Sequence, residues 1–164
     1  MADLLKNNPK SSEDDMKGRF LTFQIDQDMF GLELHNVMEI VGIQPITGLL
    51  EMPDYVKGII NLRGKIIPVM DVRLRFKKPE KDYTDRTCII VISFGGISIG
   101  LIVDCVSEVL TIPDEDIVEK PEINAKSSRG YVRNIGKIDS KVVLLIDCEK
   151  LLNDEDLDAV AAQL

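Results

Sequence analysis

Phe30-Gly-Leu-Glu-Leu-His-Asn-Val-Met-Glu-Ile-Val41 has a second copy in the chain, Ile99-Gly-Leu-Ile-Val-Asp-Cys-Val-Ser-Glu-Val-Leu110. The two align without a gap at an offset of 69, with Gly31/Gly100, Leu32/Leu101, Val37/Val106 and Glu39/Glu108 identical. A second block follows in the same order. Tyr55 to Phe76 aligns with Tyr131 to Leu152 at an offset of 76, keeping Tyr55/Tyr131, Val56/Val132, Ile59/Ile135, Lys65/Lys141 and Asp71/Asp147. Most other pairs exchange one apolar residue for another. The change of offset places extra residues between the blocks, in Pro113–Gly130. Repeated order of this kind predicts two units of similar plan.

The units read as β. Leu21, Phe23 and Ile25 alternate with Thr22 and Gln24, the period of a half-buried strand. Further strand-like runs cover Lys57–Leu62, Lys65–Met70, Thr87–Phe94, Ile97–Asp104, Val106–Ile112, Tyr131–Ile138 and Lys141–Ile146. Asp71 and Asp147 look like N-caps of brief helices after strands. Many short strands with turn signals mean a barrel or sandwich. Each half has about five strands, too few to bury much apolar surface alone. The expected architecture is therefore mainly β: two small packed β-barrels sharing a hydrophobic core, with short helices and a C-terminal helix.

Boundaries follow from the segments without apolar period. Residues 1–18 read as a disordered tail. A domain over 19–153 divides at Lys77–Asp82 into subdomains of roughly 19–80 and 81–153, whose strands are free to interleave. Pro113–Gly130 reads as a long loop. Leu157, Val160, Ala161 and Leu164 mark an amphipathic helix over 154–164.

Composition excludes several functions. The 164 residues carry 20 Lys+Arg against 28 Asp+Glu, a net charge of −8 that argues against nucleic acid. Met1-Ala-Asp-Leu-Leu-Lys has no apolar core for a secretory signal. The uncharged run Thr87–Val103 reaches the lower limit for a membrane span, but Gly95-Gly96 divides it into two Ile/Val-rich strands. No direct membrane insertion is expected. Cys88, Cys105 and Cys148 lack CxxC or Cys-His spacing, which suits buried thiols in a reducing cytosol.

Motifs for chemistry fail one by one. Gly96-Ile-Ser-Ile-Gly100 matches a hydrolase elbow, but it leads into strand and the only histidine, His35, precedes the serine. Asp26–Gly31 begins like a calcium loop and then has Phe30 and Val37 where oxygen ligands are needed. His35 has no companions at metal spacing, and no phosphate-binding glycine loop exists. No catalytic residue, cofactor or metal is expected. What remains is Lys57-Gly-Ile-Ile-Asn-Leu-Arg-Gly-Lys-Ile-Ile-Pro-Val-Met-Asp71, two strands with Arg63 at a turn where its five donors can serve binding.

Here the sequence resembles the CheW family of bacterial chemotaxis coupling proteins. The resemblance lies in Gly58-Ile-Ile-Asn-Leu-Arg-Gly64 and Ile67-Pro-Val-Met-Asp71. Gly31-Leu-Glu-Leu…Val37-Met-Glu-Ile40, Gly100-Leu-Ile-Val-Asp104…Val106-Ser-Glu-Val109 and Leu144-Leu-Ile-Asp147…Leu151-Leu152 extend it. It implies a pair of five-stranded SH3-like barrels around a shared core and no catalysis. It further implies a cytoplasmic adaptor, peripheral to the membrane, joining the cytoplasmic tip of transmembrane chemoreceptors to the regulatory domain of the histidine kinase CheA. Receptor tips would bind a groove between the barrels, and barrel ends would pair with the kinase. Carried over residue by residue, the groove falls to Val37, Glu39, Gly58 and Arg63 in the first half and Thr87, Cys88, Gly100 and Val106 in the second. Core packing is the competing reading for Val37, Cys88 and Val106, and backbone geometry for Gly58 and Gly100. The alternatives are a small-molecule-binding barrel or enzyme, or a detached regulatory module of another two-component signalling protein.

Overall fold

The computed structural model describes residues 16–119 and 130–152. Eleven strands and two short helices follow in order: β1 (Arg19–Ile25), β2 (Asp28–Glu33), β3 (Val37–Gly42), β4 (Val56–Leu62), β5 (Lys65–Asp71) and α1 (Val72–Arg75), then β6 (Cys88–Phe94), β7 (Ile97–Val103), β8 (Cys105–Thr111), β9 (Ile117–Glu119), β10 (Val132–Ile138), β11 (Lys141–Ile146) and α2 (Cys148–Leu152). The tail expected over residues 1–18 lies outside the described residues up to 15, and the helix expected over 154–164 lies wholly outside them.

Two sheets form, ordered β8-β1-β2-β11-β10-β9 and β3-β6-β7-β5-β4. Neither is built from one half of the chain. Each joins the opening hairpin of one half to the later strands of the other, so sheet membership crosses the division at residue 80 in both directions. The exchange is reciprocal in register. Leu145 on β11 lies beside Gly31 on β2, and Val69 on β5 lies beside Gly100 on β7. These are the same pair of repeat positions. Close packing explains the repeated glycine: a Cβ on Gly31 would meet Leu145 and Val143 side chains at 3.0 and 3.1 Å, and one on Gly100 would meet Ile89 and Val69 at 2.7 and 2.9 Å. Capping repeats as well, with Asp71 Oδ1 accepting from Leu74 N–H and Asp147 Oδ1 from Lys150 N–H.

The sheets pack face to face over a central core that includes Phe23, Phe30, Leu32, Met70, Phe76, Ile90 and Leu101, all fully or almost fully buried. Rings run through it in sequence, Phe23–Phe30–Phe76–Tyr131, at centroid distances of 5.6, 5.2 and 5.5 Å. Each sheet also curls around its own smaller cluster. Ile60, Leu62, Ile67, Val69, Ile89, Val91 and Ile102 fill the five-stranded one, and Phe20, Ile112, Val143 and Leu145 the six-stranded one. Two-sided burial explains the unbroken run Ile89-Ile90-Val91-Ile92, whose alternate residues serve different cores.

Three expectations need revision. Thr22, expected on the polar side of β1, is fully buried; its hydroxyl donates to the Glu108 carbonyl at 2.6 Å, because both faces of β1 are covered. The loop expected over Pro113–Gly130 holds a 3-10 turn and β9, which makes the six-stranded sheet one strand larger than expected. Its counterpart is a single bridge, Thr47 to Ile59. The periodicity also passes over β3 as a strand in its own right, although the repeat pairs it with β8. Pro68 stands on the inner strand β5, but the ladder to β7 starts only at Val69, so its missing N–H interrupts no pairing with β7.

Candidate protein-interaction site

Edge strands position the first two site residues. β3 and β4 are opposite edges of the five-stranded sheet, yet Arg63, on the β4–β5 turn, donates Nη2–H to both carboxylate oxygens of Glu39 on β3. The contact requires the sheet to curl until its edges approach. Arg63 adopts φ +53° and Gly64 φ +88°, a two-residue reversal that presents the guanidinium at the rim. The repeat reproduces the closure with other chemistry. Glu108 on β8 lies 3.9 Å from Lys141 on β11, while Asp139, at Arg63's place, takes φ +53° in its own turn. Both pairs are exposed and contribute at most about 1 kcal/mol to stability.

Val37, Cys88 and Val106 are half-buried and all pack against the central core. Val37 faces Ile92 on β6 and Val106 faces Phe23 on β1, again counterpart positions. They are three of ten partly buried apolar residues on that core among the described residues, and the register sets Val37 beside Ile92 but Cys88 beside Gly42, at opposite ends of the β3–β6 pair. Thr87 is buried, and its Oγ1 accepts the Thr84 N–H at 2.8 Å, ending the approach to β6. Cys88 Sγ–H donates to the Arg86 carbonyl at 3.3 Å.

Gly58 and Gly100 sit under the chain's own atoms. Gly58 has φ +144°, and a Cβ there would lie 2.0 Å from the Thr47 carbonyl oxygen. The eight residues therefore divide into an exposed ion pair (Glu39, Arg63), three half-buried apolar residues on the central core (Val37, Cys88, Val106), a buried Thr87, and two buried backbone positions (Gly58, Gly100).

The structure adds a partly buried ionic latch next to Thr87, with Arg73 buried and Asp26 exposed. Arg73, the second residue of α1, donates Nη1–H to Asp26 at 2.6 Å and to Asp104 at 2.9 Å, and Nε–H to the Pro79 carbonyl at 3.1 Å. Its side chain is 9% exposed. Asp104 also accepts the Asp26 backbone N–H at 2.8 Å. The hydrogen bond from Arg73 holds the Asp26 carboxyl below its usual range. Burial would lower the Arg73 pKa, but the two aspartates outweigh it and raise the value. Beside this latch Tyr83 donates its hydroxyl to Asp71 at 2.9 Å, and burial followed by the Asp71 charge pushes the phenol up. The latch fixes the 77–87 segment that delivers Thr87 and Cys88. Burial likewise pushes the Cys148 thiol up to about 12, helped by Glu33 and Asp147, which marks a packing thiol. His35 is exposed, 3.4 Å from Glu33.

Outward faces carry a feature that periodicity does not reveal. Ile40 and Ile66 are exposed on the five-stranded sheet, and Val109 and Val142, their repeat counterparts, are exposed on the other. Met38 is 55% exposed beside Ile40. Both faces of these strands are apolar in sequence, so alternation does not tell which residues remain in water. Only the repeat signals that the exposed pairs are matched.

Among the described residues, no group of three His, Cys, Asp or Glu is placed to hold a metal, and no helix is long and apolar enough to cross a membrane. The molecule is mainly β, two packed sheets of five and six strands, with half-buried apolar residues on the shared core and an exposed ion pair across one sheet's edges. Residues 19–156 match the CheW-like domain, and the chain belongs to that family. It is 35% identical over 141 residues to a chemotaxis protein CheW of Klebsiella aerogenes, covering 86% of this chain and 85% of that protein. A chemotaxis protein CheW of Bacillus subtilis is 31% identical over 137 residues, covering 84% and 88%. The crystal structure of the scaffolding protein TtCheW from Thermoanaerobacter tengcongensis superposes with a TM-score of 0.78 at 33% identity, covering 85% of this chain and 94% of that one.

Proposed function

We propose that this chain is a non-catalytic cytoplasmic adaptor that couples transmembrane chemoreceptors to the histidine kinase CheA. The observation that carries the proposal is the coexistence, on one body, of half-buried apolar residues on the central core, an exposed Glu39–Arg63 pair, and exposed apolar residues at matched repeat positions of both sheets. A scaffold needs at least two such surfaces, because coupling is a free energy passed between two simultaneous contacts. The half-buried residues Val37, Cys88 and Val106, with Glu39 and Arg63, suit the apolar face of a helical receptor tip, with the charges setting its orientation. Ile40 with Ile66, and Val109 with Val142, suit the kinase regulatory domain, whose barrels are expected to share this fold. Gly58, Thr87 and Gly100 support the groove from beneath, by shaping backbone rather than by touching a partner.

Reconstitution tests the proposal. The chain is mixed with a receptor cytoplasmic fragment and a CheA-type kinase and followed by co-purification. Recovery of all three together is expected, with the receptor–kinase association lost when the chain is omitted. Failure to retain either partner would overturn the adaptor reading.

A further inference from the structure

Met38 is the most exposed methionine among the described residues, at 55%, against 38% for Met16, half-buried Met29 and Met52, and fully buried Met70. A bulge puts it there. Val37 pairs with Ile92 and Glu39 with Val91, so two steps on β3 meet one on β6 and Met38 is the extra residue. It stands beside Ile40, on the face proposed for the kinase.

The sulfur has a donor aimed at it. Ser98 on β7 donates Oγ–H to Met38 Sδ at 3.7 Å, and Lys65 on β5 donates Nζ–H to Ser98 Oγ at 3.3 Å. Three strands supply these three side chains, so the arrangement belongs to the folded sheet and to no local stretch of sequence. A thioether is a weak acceptor, whereas oxidation makes it polar and chiral. The Ser98 hydroxyl is thus better matched to a sulfoxide oxygen than to the sulfur it now faces.

The repeat isolates the position. The two outward faces agree at Ile40/Val109 and Ile66/Val142, but Met38 has Ser107 as its counterpart, which holds no sulfur. An oxidisable side chain at this place therefore belongs to the first face alone.

We propose that Met38 is a site of reversible oxidation to the sulfoxide, held by the Ser98 hydroxyl, which turns the Ile40 face from apolar to polar and weakens its contact with the kinase. The oxidant is a peroxide. A lone pair of the Met38 sulfur attacks one peroxide oxygen, the O–O bond breaks, and an S–O bond forms. The second oxygen leaves as water with both protons of hydrogen peroxide. Sulfur is oxidised by two electrons and the peroxide is reduced by two. Sulfoxide reductases restore the thioether. The effect on the kinase rests on the adaptor reading, and the oxidation at sulfur does not.

The folded full chain is treated with hydrogen peroxide, and its methionine peptides are followed by mass spectrometry. Met38 should oxidise at least about ten-fold faster than Met70. The two epimer-specific sulfoxide reductases then read the new stereocentre, which separates a built site from mere exposure. One epimer should exceed the other by about three-fold or more, a bias within reach of one hydrogen bond, and Ser98→Ala should bring the two near equality. Equal epimers in the native chain, a bias that survives Ser98→Ala, or oxidation no faster than at Met70 would overturn the site.

Affinity for the CheA regulatory domain is measured before and after peroxide. It should fall about ten-fold in the native chain and less than about two-fold in Met38→Leu, which keeps Cys88 and the other methionines. No loss in the native chain, or an equal loss in both, would overturn the switch. Absence of binding by the untreated chain would overturn the adaptor reading and the switch with it, while rates and epimers still decide the oxidation site.

Discussion

Arg75 donates its Nε–H to the carbonyl of Leu151 at 3.0 Å, and Leu151 occupies Arg75's own place in the second half of the chain. The same guanidinium lies 4.6 Å from the Tyr55 ring and 4.8 Å from the Tyr131 ring, which are counterparts as well. One side chain thus stands on the relation that maps each half onto the other, and only one half supplies it. Two identical arginines could not share that point.

Arg75→Leu should therefore cost more than an ordinary buried substitution. It removes two cation–π contacts and leaves a buried carbonyl without this donor, a loss of about 2–4 kcal/mol. Arg75→Lys should recover less than half, because an ammonium lacks the planar fork that stacks on both rings. Urea denaturation midpoints of the three proteins measure the difference. Equal stability of Arg75→Leu and the native chain would contradict the central role of this contact.

The ionic latch has a pH signature. Asp26 is depressed in the folded state, so its stabilisation is complete above the unfolded carboxylate value of about 3.9 and is lost as pH falls through the lower folded value. Asp26→Asn should be less stable than the native chain at neutral pH, and the gap should narrow below about pH 4. Arg73→Met, which strands Asp104 at 17% exposure, should lose about 1–3 kcal/mol at neutral pH. Denaturation at several pH values checks both, and a gap that widens on acidification would refute the sign.

Two glycines with positive φ separate geometry from contact. Gly58→Ala places a methyl 2.0 Å from a backbone oxygen, so it should prevent folding or cost more than about 3 kcal/mol. Gly64→Ala, at φ +88° with nothing within 4 Å, should cost only about 1 kcal/mol. Thermal melts of the two variants give the comparison. Equal losses would mean that the crowding at Gly58 is relieved by movement of the Thr47 segment.

Legibility in the sequence followed the physics of each feature. The repeat was visible because the Gly31/Gly100 and Tyr55/Tyr131 positions each answer a constraint that both halves share: close strand approach for the glycines, the junction around Arg75 for the tyrosines. The reciprocal exchange of strands was not, since Val69 beside Gly100 and Leu145 beside Gly31 are pairings that a single-chain alternation pattern cannot express. Thr22 misled because a threonine satisfied by one carbonyl can enter a core as readily as it faces water. The Arg63–Glu39 closure could be suspected from a charged turn residue, but its partner lies 24 residues away. The latch joins Asp26, Arg73 and Asp104 from three separate elements, and nothing in their spacing announces it. β9 was hidden because three residues, Ile117–Glu119, are too short to show a period.

The exposed ion pair and the half-buried apolar residues make the sharpest functional distinction. Arg63 is 70% exposed, so Arg63→Ala should change stability by less than about 1 kcal/mol while weakening receptor binding about ten-fold. Val106→Asp should act on the same contact by charging one of those apolar residues. Calorimetric titration of each folded variant with a receptor cytoplasmic fragment gives the values.

The most direct test crosses the two surfaces. The native chain, Arg63→Ala and Ile40→Glu/Ile66→Glu are each titrated separately with the receptor fragment and with the CheA regulatory domain. The first variant should lose affinity for receptor alone and the second for kinase alone, each by about ten-fold or more, with circular dichroism unchanged. Loss of both partners by either variant, or of neither partner by both, would contradict an adaptor that couples through two separate surfaces.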